Sequence, residues 1–313
     1  MDLRQLEILC AIAEVGTFTG AGERLHVSQP AISRQVILLE EELGEPLFIR
    51  QGRSAIPTPA GLTLIQLGHR LLQDLTTTVG QIRDERHELN GTIRIAGGMT
   101  VCLYVFPSLL KQLRRMHPKL DVRLMVAPTG RSIEEIRTGQ VDAGLLTLPV
   151  EHADLMTLPV LREELLIVTM PTHPLAKRKR IAAQDLAGEP FVLFESGSGT
   201  RRVIDRFFLS ENIEPHIVME TENVEIIKAL VRSEMGITII PYQSVAREVR
   251  SGQLFCARIS GTHLVRHTGW VYQRSNRIPR MLEEMFKAYE RVLPHLNLSP
   301  GKGGGSLKTR DMS

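Results

Sequence analysis

At 313 residues the chain is long for one hydrophobic core, so two domains are expected, and its 42% hydrophobic content is ordinary for a globular protein. A net charge of +3 is too small to name a class of partner, and three scattered cysteines, Cys10, Cys102 and Cys256, with no CxxC pair indicate neither a disulfide framework nor a zinc site. The opening MDLRQLEILC has no basic run ahead of a long apolar core, and no apolar run approaches a membrane span, so a soluble, cytoplasmic protein with no membrane partner is expected.

In chain order, Leu3, Leu6, Ile8, Leu9 and Ile12 space a first helix that ends near Gly16. Thr17 or Thr19 can cap a second helix running to about Leu25. A third follows from Ser28 to about Leu43, stopped by Gly44 and Pro46. LFIRQGRSAI (47–56) reads as two short strands around Gln51-Gly52-Arg53-Ser54. Thr58-Pro59 starts a long helix reaching about Leu89, with Ile65, Gly68, Leu72, Leu75, Val79, Ile82, Arg86 and Leu89 spaced by three and four. Two readings fit it: an amphipathic helix lying on a domain, or a dimer-forming linker. A length of about 45 Å favours the linker.

After Asn90-Gly91 the texture changes. Strands 92–97, 121–126 and 142–148 alternate with helices near 104–116 and 131–138. A second set follows: strands 164–170, 191–196, 216–221 and 236–241, and helices 200–211 and 223–234. The chain returns at 265–273 before a last helix near 279–293. Apolar strands alternating with helices predict parallel sheets covered on both sides, here in two similar lobes. The Gly-rich tail beyond is expected to be disordered.

The stretch SQPAISRQV (28–36) carries the first chemistry. With Ser28 as N-cap, able to satisfy the Ala31 N–H, Gln29 and Pro30 take the first two helical positions, where proline removes no intrahelical bond. Ile32, Val36 and Leu39 then share one face, and Gln29, Pro30, Ser33 and Arg34 another. The spacing of helices two and three matches a helix-turn-helix, whose second helix enters the major groove. Gln pairs with adenine, Arg with guanine or phosphate, Ser with either. The hairpin bearing Arg50 and Arg53 would be a wing. Against this stand Glu40, Glu41 and Glu42, which repel phosphate, and the charge of residues 1–90: eight Arg, no Lys and twelve acidic residues, a balance of −4 that leaves +7 on the other 223. Any DNA binding must rest on a few placed arginines. A polar helix face with no ligand remains the alternative.

The run TFTGAGERLHVSQPAISRQVILLEEELGEPLFIRQGRSAIPTPAG (17–61) resembles the N-terminal domain of LysR-type transcriptional regulators. LHVSQPAISRQV, LEEELG, LF-x-R, the wing arginine and TPAG appear in order, and a diffuse similarity extends to about residue 295. The resemblance implies an α/β protein with an N-terminal winged helix-turn-helix (1–58), a linker or dimerisation helix (59–90), and a two-lobed, periplasmic-binding-protein-like effector domain (91–295). Lobe I would span about 91–162 and 268–295, lobe II about 163–267, and 296–313 the disordered tail. Matched to the motif, Gln29, Pro30, Ser33 and Arg34 would contact DNA, with Arg53 in the wing. Gly20-Ala21-Gly22 departs from the family's alanines, which implies a less rigid helix two. Ile49, Gln51 and Pro57 depart from its common wing residues.

In 195–201, Glu-Ser-Gly-Ser-Gly-Thr-Arg joins a strand to a helix, and converging backbone N–H groups at such a point favour an anion. It lacks the Lys-Ser/Thr ending of a Walker loop. A well-capped turn with no ligand is the alternative. GGMTV (97–101), Thr129 and Thr147 follow other strands, at the carboxyl ends where ligands sit in open α/β sheets. The family's inducer cleft corresponds, which makes Thr100, Thr129, Thr147, Ser196, Ser198 and Thr200 effector candidates and a small anion the expected ligand. His263 and His267 lie on a strand with no carboxylate motif, so no metal is expected, and KRKR (177–180) reads as a solvated loop. No cofactor and no enzymatic activity are expected.

The reading is a ligand-responsive regulator, a homodimer or homotetramer on promoter DNA that also meets RNA polymerase. A small-molecule binding protein with merely dimerising N-terminal helices, and an enzyme using the 195–201 loop on a phosphorylated substrate, are its rivals.

Overall fold

The computed structural model describes residues 1–52, 54–83, 89, 91–178, 180–275 and 278–298. It divides into two compact units, Met1–His87 with Thr138–Gln140, and Glu88–Arg137 with Val141–Ser313.

The first unit is built from α1 (Leu3–Val15), α2 (Phe18–Leu25), α3 (Gln29–Leu43), the hairpin β1 (Phe48–Gln51) and β2 (Ser54–Pro57), and α4 (Pro59–Arg83). Leu6, Leu9 and Ile12 of α1 pack with Ile32, Val36 and Leu39 of α3 in one core, so the face deduced for helix three is the buried one. Asp2 and Gln5 form a capping box on α1, and Thr17 Oγ1 accepts from the Gly20 N–H at the start of α2. Ser28 is the N-cap of α3, but its side chain makes no capping bond, contrary to the expected contact with the Ala31 N–H. Gly22 is required where it stands: a Cβ there would lie 2.6 Å from the Val27 carbonyl oxygen, in the turn between α2 and α3. That glycine therefore permits a close approach, and reading it as a softened helix misses this use.

The spaced apolar positions on α4 divide into two sets. Ile65 is buried in the core with α1, Leu72 packs against that core, and a Cβ on Gly68 would lie 2.9 Å from Cys10 Sγ. This half of the helix lies on its own domain. Leu75 and Val79 are 45% and 37% exposed. The side chain of Ile82 and all of Arg86 lie outside the described residues.

In the second unit β3 (Gly91–Gly97) pairs in parallel with β4 (Leu120–Val126) and β5 (Ala143–Thr147), with α5 (Met99–Tyr104), α6 (Phe106–Met116) and α7 (Thr129–Arg137) in the connections. The helix expected near 104–116 is α6, which starts two residues later with Pro107 in its first turn; the short α5 ahead of it, joined through Val105, was not expected. Next comes β6 (Leu155–Thr169), then β7 (Arg180–Ile181), β8 (Pro190–Leu193), α8 (Gly199–Ser210), β9 (His216–Glu220), α9 (Val224–Arg232), β10 (Thr238–Pro241), α10 (Tyr242–Arg250), β11 (Phe255–Ile259), β12 (Val265–Gln273) and α11 (Arg280–Val292). The sheets are mixed, not wholly parallel as expected: β12 runs antiparallel to β5 and β6, as do β10 and β11 to β6.

Two large buried cores make two lobes, with a smaller cluster of Ile136, Leu146 and Val271 beside the first. Ile93, Phe106, Leu145, Trp270 and Tyr289 belong to the first, and Leu166, Phe191, Ile204, Ile239 and Val245 to the other. The strands β6 and β12 pass between them as one antiparallel pair, Val265 opposite Glu164 at one end and Gln273 opposite Leu155 at the other. β6 begins nine residues before the strand expected at 164. Pro159 and the charged run Arg162-Glu163-Glu164 interrupt the apolar pattern and hide its first half. The register shifts beside Pro159, between Thr268 and Gly269, which fits a residue that cannot donate to the ladder.

Candidate functional site

Two surfaces concentrate the polar groups singled out in the sequence. On the first unit, Pro30 and Arg34 are exposed and Gln29 and Ser33 half-buried, at the opening of α3 opposite its core face. Arg50, on β1, donates from Nη2 to Ser33 Oγ at 2.6 Å, and its guanidinium lies 4.4 Å from the centre of the Phe18 ring. Arg50 thus fastens the hairpin to α3 and α2. Arg53 lies outside the described residues. Glu40 faces inward: its Oε1 accepts from the Leu47 and Phe48 N–H groups at 2.7 and 3.2 Å. Glu42 pairs with the Met1 ammonium at 2.7 Å. Two of the three acids that opposed DNA binding are therefore engaged within the unit.

On the second unit, a cavity of about 60 Å³ opens between the lobes. Thr100, Thr129, Thr147, Ser198 and Thr200 line it, drawn from α5, α7, β5 and α8. The N-termini of α7 and α8 face it, with Ser198 Oγ accepting from the Thr200 N–H at 3.2 Å. Gly199 sits tight against the opposite lobe: a Cβ there would lie 2.6 Å from Thr147 Cβ and 3.2 Å from Thr129 Oγ1. Ser196 departs from the expectation. The Ser198 N–H turns back to the Glu195 carbonyl at 2.9 Å, and Ser196, in that turn, is exposed and does not line the cavity.

Arg266, Glu163 and Glu222 were not anticipated. Arg266 is 3% and Glu163 1% exposed. Arg266 donates from Nε to Glu163 Oε2 at 2.9 Å and from Nη2 to the same oxygen, while Nη1 reaches Thr200 Oγ1 at 2.6 Å. A charged pair on the crossing strands is thereby tied to the first turn of α8. Charged residues inside strand-like runs were the available signal. Glu222 lines the exposed rim, where water screens it.

A second polar cluster joins the lobes away from the cavity. Tyr104, at the end of α5, packs against the second lobe's core, donates to Glu225 and accepts from Lys228 Nζ at 2.9 Å. Lys228, 2% exposed, also donates to Glu248 at 2.6 Å. Burial raises the Tyr104 phenol, reinforced by its bond to Glu225. For Glu225, desolvation pushes upward, but the bonds from Tyr104 and Lys228 outweigh it and hold the carboxyl below its usual range. Burial raises the thiols of Cys10 and Cys102 to about 12 and that of Cys256 to about 11. They stay protonated at neutral pH and carry no thiolate chemistry. Among the described residues no cluster of His, Cys, Asp and Glu could hold a metal, and no helix is long and apolar enough to cross a membrane.

Comparison with known proteins matches residues 3–62 to the bacterial regulatory helix-turn-helix protein, lysR family, and residues 86–293 to the LysR substrate binding domain. A protein named as a probable RuBisCO transcriptional regulator, from Trichormus variabilis, is 33% identical over 298 residues, covering 93% of this chain and 88% of its own. Among solved structures, full-length OxyR from Pseudomonas aeruginosa, a point variant, superposes with a TM-score of 0.80 at 25% identity, covering 93% of this chain and 95% of its own. Full-length CbnR complexed with its target DNA superposes with a TM-score of 0.55 at 26% identity, covering 93% of this chain and 99% of its own. The winged helix-turn-helix unit, the two-lobed α/β unit and these matches make the chain a member of the LysR family of DNA-binding transcriptional regulators, with a small-molecule effector domain and no enzymatic role.

Proposed function

We propose that this regulator reads one half of a promoter site with the opening of α3 and senses a small anion in the cavity between its lobes. Gln29, Pro30, Ser33 and Arg34 contact the major groove. Arg50 holds the hairpin in place for them, and Arg53 meets the backbone or minor groove. The winged unit spans 1–58, the linker helix 59–90 and the effector domain 91–295, with 296–313 as a tail. The chain works in the cytoplasm as a homodimer or homotetramer joined through the exposed Leu75 and Val79 of α4, and meets RNA polymerase at the promoter.

The observation that carries the effector half is the convergence of five hydroxyl side chains and two helix N-termini on one cavity. Donors aimed into a small space suit an anion. The charge of Arg266 is already balanced by Glu163, so a singly charged ligand fits better than a highly charged one. Because Gly199 abuts Thr147, a ligand shifts α8 relative to the first lobe, and with it the arrangement of subunits and the bend of the DNA. Ser196, exposed outside the cavity, is left out of the contact set.

A thermal-shift series with bicarbonate, inorganic phosphate, sulfate and acetate tests the effector half. One of these stabilises the wild type and not the Thr100→Val/Thr200→Val double variant. Equal shifts in both proteins would overturn the site. For DNA, the chain's own upstream region is the first fragment to titrate, followed by a RuBisCO promoter, given the relatives' names.

A further inference from the structure

The strands that wall the cleft have a reverse side. Successive side chains on a strand point to opposite faces. On β12, Arg266 faces Thr200, while Val265 and His267 face a separate groove. On β6, Glu163 joins Arg266 and its neighbour Arg162 lines that groove, directly across the ladder from His267. Helix α8 does the same along its length: Gly199 and Thr200 line the cleft, Arg206 and Phe207 the groove.

The groove measures about 940 Å³, within the range of about 300–1,000 Å³ usual for small-molecule sites. Its bed is apolar, with Leu148, Pro159, Val203 and Phe207 among its residues. Its polar groups include Arg162, Arg206, His263 and His267, and no acidic side chain lines it among the described residues. An inorganic ion would leave the apolar bed in water, and a neutral apolar molecule would gain nothing from the two arginines, which stand exposed beside the bed, Arg206 with its Nε on the Arg202 carbonyl at 3.3 Å. A ligand that satisfies both has an apolar body and one anionic end.

We propose that this groove is a second ligand site, for an amphipathic organic carboxylate whose apolar ring or chain lies on the bed and whose carboxylate is held by Arg162 and Arg206. It is distinct from the cleft but built on the same two strands and the same helix, so its occupant braces the element that the cleft ligand moves. This does not depend on the identity of the cleft ligand.

The test is calorimetric titration of the full chain with acetate, benzoate and cinnamate, each beside its primary amide. The expected result is saturable binding that tightens from acetate to cinnamate, with the amides at least about tenfold weaker. Arg162→Gln/Arg206→Gln weakens benzoate and cinnamate by about tenfold or more, whereas Thr100→Val/Thr200→Val, which alters only the cleft, leaves these two unchanged. Hydrogen exchange slows in 203–210 and 262–267 on cinnamate binding. The proposal is overturned if no carboxylate binds with a Kd of about 10 mM or tighter, if amides bind as well as acids, or if the cleft variant abolishes binding. It is also overturned if the arginine variant instead changes the sedimenting mass, which would make the groove a contact between copies of this chain.

Discussion

The opening of α3 and the cleft around Thr200 both gather hydrogen-bonding side chains, but they are made in opposite ways. On α3 the groups lie within six residues, exposed or half-buried, and are held in place because Ile32, Val36 and Leu39 bury the other face. In the cleft they come from positions 100 to 266 and are mostly buried. A local, exposed site tolerates substitution and loses only what the side chain itself contributed. A buried, assembled site is also part of the fold, so its substitutions are read first as stability.

The largest effect should therefore come from the cleft's hidden charge pair. Arg266→Met leaves Glu163 buried without its partner and should cost about 3–5 kcal/mol in denaturant unfolding of the effector unit. Adding Glu163→Gln should recover much of that loss, because the two changes couple through one interaction. Next is Gly199→Ala, whose methyl would press on Thr147. It should cost about 1–3 kcal/mol and remove the thermal response to the effector anion.

On α3 the order of readouts reverses. Arg34→Ala should leave the melting temperature unchanged and weaken specific DNA binding by about 1–3 kcal/mol, measured by fluorescence anisotropy at fixed salt. Arg50→Met lies between the two classes. It removes the bond to Ser33 and the contact with Phe18, so both stability and DNA affinity should fall, each by less than about 2 kcal/mol.

The smallest effect sharpens the view of the lobe junction. The folded-state pKa of Glu225 is depressed, so its contribution is present above the unfolded value of about 4.5 and is lost as pH falls through the folded one. Wild type should lose stability relative to a Glu225→Gln variant as pH drops below about 4.5. Parallel melting curves across that range would show that the contact with Tyr104 and Lys228 contributes nothing.

The same contrast explains what could be read from the sequence. α3 was legible because a cap, a proline and an apolar period are local signals. That the threonines follow the carboxyl ends of strands was legible because strands and helices alternate there. Arg266 and Glu163 were not, since they meet across 103 residues and only the fold brings them together. Ser196 was misplaced because spacing along the chain does not tell which way a turn points its residues. The first half of β6 was hidden by Pro159 and three charged residues, whose burial or exposure depends on β12.

The most direct test is one titration of wild type and Arg34→Ala with the upstream DNA, beside the thermal shift of each with the stabilising anion. The account predicts that Arg34→Ala loses about tenfold or more in DNA affinity, together with its sequence preference, and keeps the full anion shift. Unchanged affinity and preference in Arg34→Ala would contradict it.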